Sequence, residues 1–154
     1  MTKYIAIEGR GGSGKTYLSN ILGKELGIRT LHLDDYGDDW KPFIGIPKLI
    51  KLLDAATEEI VIFEGVGVFK QAFDKYDAFK IFVDTPEAIR VHRAEGRDVP
   101  RSDRTADDWK KIWAIWAESD KEYYSPALVQ KSDLVVGSKD GEFDIESIKK
   151  EIVK

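Results

Sequence analysis

The segment that decides the fold is Ile5–Leu22, IAIEGRGGSGKTYLSNIL. Apolar residues run into a cluster of glycines, a Lys–Thr pair follows, and apolar side chains then recur with a helical period. Residues Gly9–Thr16 satisfy the pattern G-x-x-x-x-G-K-[ST] in full. Average residue usage would produce that pattern in about one in 200 chains of this length. The pattern also lies where it must, after a predicted strand and at the start of a predicted helix.

The glycines of this segment indicate a phosphate-binding loop. Glycine allows left-handed turns that bring backbone N–H groups close to phosphate oxygens, and the following helix adds the positive end of its dipole. Lys15 can reach the β- and γ-phosphates of a nucleoside triphosphate, and the Thr16 hydroxyl can ligate Mg²⁺. We therefore expect ATP to bind at Gly9, Gly11, Gly12, Ser13, Gly14, Lys15, Thr16 and Tyr17.

Length and composition narrow the class of protein. With 154 residues, the chain is expected to form one domain, 1–154. A net charge of −4 gives no electrostatic case for nucleic-acid binding. No segment has the length of a signal peptide or a membrane span, and the absence of cysteine fits a reducing cytoplasm. The expected partner is a small molecule, and the protein is expected to be cytoplasmic and a monomer or homodimer.

Short apolar runs alternate with helical patterns along the chain. Thr85 is expected to be the N-cap of a helix with Pro86 at its first position, and Thr105 with Asp108 resembles a capping box. This alternation predicts an α/β fold, a three-layer doubly wound parallel sheet of the P-loop NTPase type, with ligands at the carboxyl ends of its strands. The five predicted strands are Tyr4–Ile7, Thr30–Leu33, Ile60–Phe63, Phe79–Val83 and Leu134–Val136.

Carboxylates follow two of these strands. Asp34 and Asp35 come after the second strand, where a general base for an incoming hydroxyl would lie, and both are candidates for that base. Glu64 directly follows the third strand and is placed to hold a Mg²⁺-bound water. We therefore expect a metal site at Thr16 and Glu64.

Arginines cluster after the fourth strand in this otherwise acidic chain. Guanidinium groups stabilise the charge of a transferring phosphoryl group, and we expect Arg93 and Arg97 to do so. Gly96 and Pro100 suggest a lid-like segment at about 93–104. Arg90, Arg101 and Arg104 complete the cluster.

Histidines and aromatic residues carry weaker signals. His32 is expected to be a packed or edge residue of its strand. The stripe Trp109, Ile112, Trp113 and Trp116 is expected to pack a helix. Residues Tyr36, Trp40 and Phe43 follow the candidate base, and they form either a platform for a planar acceptor or ordinary loop packing.

In this order, the segments resemble the P-loop kinases of the uridine kinase, phosphoribulokinase and pantothenate kinase group, over most of the chain. IAIEGRGGSGKT is similar to the opening of uridine kinases. LDDYG resembles their D-S-F-Y segment, which implies that Asp34 is the catalytic base, and VIFEGVGVF resembles V-I-V-E-G, which places Glu64 on the carboxylate of that motif. RAEGRD resembles R-R-I-x-R-D, which implies that Arg93 and Arg97 are lid arginines, although Ala94 departs from that motif.

The resemblance implies an ATP- and Mg²⁺-dependent kinase that phosphorylates a hydroxyl of a small molecule, such as a nucleoside or a similar metabolite. The segment between Asp34 and Glu64, about thirty residues long, is much shorter than the insert by which nucleoside kinases enclose base and sugar. A nucleotide or sugar-phosphate kinase is an alternative, because Arg101 and Arg104 can meet a second anion. A non-catalytic nucleotide-binding protein or a GTPase-like switch would also use such a loop, but no N-K-x-D segment accompanies the D-x-x-G pattern at 34–37.

Overall fold

A computed structural model describes residues 1–38, 41–101, 103–137 and 142–153 of the chain. The strands described are β1 (Lys3–Gly9), β2 (Arg29–His32), β3 (Ile60–Glu64), β4 (Phe79–Asp84) and β5 (Leu134–Gly137). The helices are α1 (Lys15–Leu26), α2 (Ile46–Asp54), α3 (Glu87–Asp98), α4 (Ala106–Tyr123), α5 (Pro126–Val129) and α6 (Ile145–Ile152).

The strands form one parallel sheet in the order β2-β3-β1-β4-β5. The predicted parallel five-stranded α/β architecture is therefore confirmed. Because all strands run in the same direction, their carboxyl ends meet at one edge, where the phosphate loop follows β1, Asp34 follows β2, and Glu64 is the last residue of β3. Within the described ranges, no helix is both long enough and apolar enough to cross a bilayer.

The alternation of side chains along the strands divides the core into two layers. Ile5 and Ile7 of β1 pack with Leu18 and Leu22 of α1 and with Ile148 of α6 on one face of the sheet. Ala6 and its neighbours on β3 face the opposite layer, which contains residues of α2, the end of α4 and α5. On β3, the same alternation turns Val61 and Phe63 toward α2, and Ile62 and Glu64 toward α1.

The structure corrects two predicted boundaries. The second strand ends at His32, and Leu33 begins a 3-10 turn, Leu33–Asp35, although the Leu33 side chain is fully buried. Burial of an apolar residue therefore does not require strand geometry. Thr85 is not the N-cap of α3, because Pro86 takes that position. The capping box of α4 is confirmed, with the Thr105 hydroxyl accepting from the Asp108 N–H at 3.1 Å and the Asp108 carboxylate accepting from the Thr105 N–H at 3.2 Å.

Candidate functional site

The loop between β1 and α1 has the backbone of an anion cradle. Gly12 and Gly14 have φ of +77° and +97°, a conformation that side-chain-bearing residues rarely adopt. Gly14 caps α1, so the first N–H groups of that helix point into the loop together with its positive dipole end. Lys15 opens the helix, is buried, and places its Nζ 3.5 Å from the Arg10 carbonyl oxygen, across the loop. This arrangement can bind a polyphosphate.

Neighbouring elements hold the loop from outside. The Thr85 hydroxyl donates to the Ser13 carbonyl at 2.7 Å. From α3, Arg93 Nη1 donates to the Gly12 and Ser13 carbonyls at 3.4 and 3.3 Å. The main chain of α3 at Arg90 lies so close to Gly12 that a Cβ there would collide with the Arg90 carbonyl oxygen. These contacts hold the carbonyls of Gly12 and Ser13 from outside the loop, and within the loop the Ser13 N–H donates to the Arg10 carbonyl at 3.0 Å.

Thr16 and Glu64 come together as the sequence predicted. The Thr16 hydroxyl donates to Glu64 Oε1 at 2.9 Å, and His32 Nδ1 lies 2.7 Å from the same oxygen. The β2–β3 register explains the second contact, because His32 and Glu64 are paired residues on neighbouring strands. The hydrogen bond to Glu64 raises the pKa of His32 above its ordinary value, although burial opposes this.

This cluster fits a magnesium ion of the kind that kinases bind. Glu64 is buried, and its Oε2 atom has no hydrogen-bond partner among the described residues, so this oxygen is available to a metal-bound water. No group of three or more His, Asp or Glu side chains that could hold a metal occurs within the described ranges. This arrangement suits Mg²⁺, which usually takes one or two protein ligands and completes its shell with water and phosphate oxygens.

A cavity of about 460 Å³ opens beside the phosphate loop. It is lined by Gly11 and Lys15 of the loop and by Asp34 of the turn after β2. Of the two candidate bases, Asp34 therefore shares this cavity with Lys15, and Asp35 is not among its described lining residues. The remaining lining residues are Asp38, Lys41, Phe43, Ile44, Val66, Arg97, Ile115, Trp116, Ser119 and Asp120.

The two candidate lid arginines occupy different positions. Arg93 contacts the loop carbonyls, whereas Arg97 lines the cavity and donates to the buried carboxylate of Asp98 through Nε at 2.6 Å and Nη2 at 3.1 Å. Trp113 Nε1 donates to the same carboxylate at 2.7 Å. The segment 93–104 comprises the end of α3, a 3-10 turn at Val99–Arg101 and the residues before α4, with Gly96 inside the helix. Its role as a lid stays a prediction.

Several other predicted contributors lie at the edges of the site. Tyr17 is exposed on α1 and stacks on Phe143 with ring centroids 6.3 Å apart, next to Gly14. The Arg104 guanidinium lies 5.6 Å from the Trp109 ring centroid, and Arg101 is outside the residues whose side chains are described.

The aromatic residues divide between packing and the cavity. Trp109 is fully buried, as expected for helix packing, but Trp116 lines the cavity, and so does Phe43 after the candidate base. Trp40 lies outside the described residues. The Trp116 ring packs against Trp109, with centroids 6.3 Å apart, so this residue combines the expected helix packing with a place in the cavity wall.

Sequence reasoning missed two carboxylates near the loop. Glu8, the residue before Gly9, is fully buried and accepts hydrogen bonds from the hydroxyls of Tyr123 and Tyr124 at 2.8 and 2.7 Å. It also accepts from the N–H groups of Gly9, Gly67 and Phe69 at 3.2, 2.8 and 3.2 Å. Burial raises the pKa of Glu8 more than these donors lower it.

The second missed carboxylate is Asp120 of α4, on the cavity wall. Burial raises its pKa, and the charges of Lys15, Arg90 and Arg10 partly oppose that shift. The only sequence signal was its position one turn beyond Trp116 on an amphipathic helix.

Comparisons with known proteins establish the fold. No family model and no curated protein matches the chain. The structure is similar to TT1252 from Thermus thermophilus, with a TM-score of 0.65, 15% identity, and 99% of this chain and 96% of that chain covered. It is also similar to a shikimate kinase from Acinetobacter baumannii in complex with shikimate, with a TM-score of 0.63, 17% identity, and coverages of 99% and 92%. For a shikimate kinase from Aquifex aeolicus, the TM-score is 0.53, the identity 21%, and the coverages 97% and 94%.

These similarities confirm the predicted fold, a five-stranded parallel α/β sheet flanked by helices, which this chain shares with the shikimate kinase structures. The kinases among these three structures are shikimate kinases, so the narrower resemblance to uridine kinases stays a prediction.

Proposed function

We propose that the protein is an ATP- and Mg²⁺-dependent kinase that transfers the γ-phosphoryl group of ATP to a hydroxyl of a small molecule. The observation that carries this proposal is the shared cavity, because Lys15 of the phosphate loop and Asp34 after β2 line the same space. A hydroxyl bound there can contact a carboxylate base on one side and face the terminal phosphate on the other. The fold similarity to shikimate kinases supports the same class of reaction.

In this proposal, Asp34 accepts the hydroxyl proton while the acceptor oxygen bonds to the γ-phosphorus and the bond to the ADP oxygen breaks. Lys15 and the loop N–H groups hold the β- and γ-phosphate oxygens, and Arg97, on the cavity wall, stabilises the transferring charge. Arg93 contributes by fixing the Gly12 and Ser13 carbonyls. Catalysis then comes chiefly from positioning and electrostatics.

Thr16 and Glu64 would hold the magnesium ion, Thr16 through its hydroxyl and Glu64 through a bound water. When bound, Mg²⁺ supplies positive charge to the phosphate oxygens. His32 fixes the orientation of the Glu64 carboxylate through the 2.7 Å contact to Oε1, which leaves Oε2 directed elsewhere.

The cavity volume of about 460 Å³ is that of a site for a small metabolite. Phe43 and Trp116 offer apolar and planar surface in the cavity, which suits a nucleoside or another ring-containing molecule with hydroxyl groups. We further propose that the protein acts in the cytoplasm, as a monomer or homodimer, on small molecules rather than on nucleic acids or membranes.

The test is an ATP-consumption screen across nucleosides, nucleotides, sugars, hydroxy acids and vitamin precursors, followed by three variants. Lys15→Ala should abolish nucleotide binding or turnover. Asp34→Asn should keep ATP affinity and lower kcat by at least about a hundredfold, while the matched control Asp35→Asn should change kcat only a few-fold. Full activity of Lys15→Ala would refute the proposal, and equal losses in the two aspartate variants would refute the assignment of the base.

The same screen separates this kinase from proteins of other classes. Hydrolysis of GTP with no acceptor dependence would indicate a switch protein. ATP binding with no product in any reaction would indicate a non-catalytic nucleotide-binding protein. Turnover only with phosphorylated acceptors would indicate a nucleotide or sugar-phosphate kinase.

A further inference from the structure

Three carboxylates line the cavity beside the phosphate loop, those of Asp34, Asp38 and Asp120, and the proposed reaction uses only Asp34. Asp34 belongs to the turn after β2, whereas Asp120 belongs to α4. Along α4, Ile115, Trp116, Ser119 and Asp120 all line the cavity, which is the spacing of one helix face. Asp120 therefore lies at the loop-facing end of an otherwise largely apolar wall.

The Asp120 carboxylate has no partner in the part of the chain that the structure describes. It is partly buried, and it makes no hydrogen bond or ion pair with any residue in those ranges. The positive charges that favour its ionised form belong to Lys15, Arg90 and Arg10, none of which is in hydrogen-bond or ion-pair contact with it. A partly buried carboxylate that accepts no hydrogen bond destabilises the fold. The carboxylate at this position therefore does not contribute to stability, and a role in ligand binding explains it better.

Nucleotide binding makes this position less favourable still. In the proposed function, Lys15 binds the phosphates of the nucleotide. A bound triphosphate therefore brings several negative charges to Lys15, whose positive charge otherwise stabilises the ionised carboxylate of Asp120. A carboxylate whose ionised form relies on that lysine is therefore repelled by a bound triphosphate. A ligand in the cavity that supplies a hydrogen-bond donor or a positive charge removes the conflict.

We propose that Asp120 is a specificity residue for the acceptor and that it hydrogen-bonds a second donor group of the molecule whose hydroxyl is phosphorylated. This inference rests on the proposed kinase function. The acceptor class is thereby narrowed to small molecules with two separate donors. One is the reacting hydroxyl near Asp34, and the other is a hydroxyl or protonated amine that reaches Asp120. Trp116 and Ile115, on the same face of α4, contact the apolar or planar body between these groups.

The experiment compares Asp120→Asn with Glu118→Gln, which removes the same charge from the same helix at an exposed position paired only with Lys121 among the described residues. Binding of Mg²⁺–ADP is measured by calorimetry, and kcat and KM are measured for the acceptor found in the ATP-consumption screen. In Asp120→Asn, the acceptor KM should rise at least about tenfold, while the Kd for ADP stays the same or falls. Glu118→Gln should change neither value more than about twofold.

A deoxy or deamino analogue of the acceptor, lacking the second donor, provides the specific readout. Wild-type protein should reject the analogue at least about tenfold, whereas Asp120→Ala, which removes both acceptor oxygens, should treat acceptor and analogue nearly alike. Undiminished discrimination in Asp120→Ala, or equal losses of ADP and acceptor affinity, would overturn the inference while leaving the kinase function intact. If the wild-type protein shows no acceptor-dependent turnover at all, the proposed function fails, and this inference fails with it.

Discussion

Substituting Gly12 by alanine tests how the phosphate loop is held. At Gly12, φ is +77°, and a Cβ would meet the Arg90 carbonyl oxygen, with Cα and the carbonyl carbon of Arg90 each at 3.1 Å. At Gly27, the C-cap of α1, φ is +66°, but nothing lies within 4 Å of a Cβ. Gly27→Ala is therefore a matched control that has the left-handed backbone strain without the collision.

The two variants should differ by the energy of the collision. Left-handed backbone costs a non-glycine residue about 1–2 kcal/mol in either variant. Forcing a methyl group against the main chain of α3 adds about 1–3 kcal/mol in Gly12→Ala alone. For a domain of this length, 1 kcal/mol shifts the melting temperature by about 2–4 °C, so Gly12→Ala should melt about 2–12 °C below Gly27→Ala.

Nucleotide binding provides the second readout. A displaced α3 carries Arg93 away from the Gly12 and Ser13 carbonyls, and the loop N–H groups lose their alignment. The Kd for Mg²⁺–ADP should rise at least about tenfold in Gly12→Ala and stay within about twofold of wild type in Gly27→Ala. Scanning calorimetry and isothermal titration measure both effects. Equal melting temperatures and equal ADP affinities in the two variants would refute this account of the loop.

Three further substitutions test the surrounding carboxylates and the cavity arginine. Glu8→Gln should lower the free energy of unfolding by about 1–3 kcal/mol, because its NH₂ group must face the backbone N–H of either Gly9 or Gly67; an unchanged urea midpoint would contradict this. Burial raises the pKa of Asp120 above its ordinary 3.8. Ionisation of this carboxyl therefore lowers the free energy of unfolding, and the loss grows as pH rises from 3.8 through the raised pKa of the folded state. Asp120→Asn should therefore melt above wild type at pH 7, with the gap closing below pH 3.8, and a lower melting temperature at pH 7 would count against it. Arg97→Gln should lower kcat at least about tenfold with less than about threefold change in the Kd for ADP, and the reverse order of effects would argue against a role in phosphoryl transfer.

The parts of the site that the sequence predicted are those that depend on local chemistry or on strand ends. The loop conformation follows from the glycines themselves, and the start of α1 follows from the Gly14-Lys15 junction. The contact between Thr16 and Glu64 was predictable because Thr16 lies in the first turn of the helix after β1, and Glu64 ends β3, which pairs with β1. The carboxyl ends of adjacent parallel strands must meet, whatever the details of packing.

The contacts that the sequence did not predict join residues far apart in the chain. His32 lies on the edge strand β2, as expected, but its contact with Glu64 depends on the register between β2 and β3, which a short strand segment does not reveal. Glu8 was not a predicted site residue, and its hydroxyl donors, Tyr123 and Tyr124, are more than a hundred residues away. Trp116 has the helical spacing of a packing residue, and only the position of α4 over the loop turns it into the cavity. No local pattern encodes such relations.

The buried Glu8 carboxylate connects the two halves of the proposed site. It lies one residue before the phosphate loop, and its bonds to Tyr123 and Tyr124 hold the C-terminal end of α4 against the end of β1. Asp120 lies one turn before Tyr124 on that same end of the helix, so Glu8, together with the bond from the Tyr124 hydroxyl to the Gly9 carbonyl at 2.7 Å, helps to position the cavity wall formed by α4. A Glu8 variant that still folds should therefore impair acceptor turnover more than ADP binding, because the loop keeps its contacts with Thr85 and Arg93 while this wall loses two hydrogen bonds.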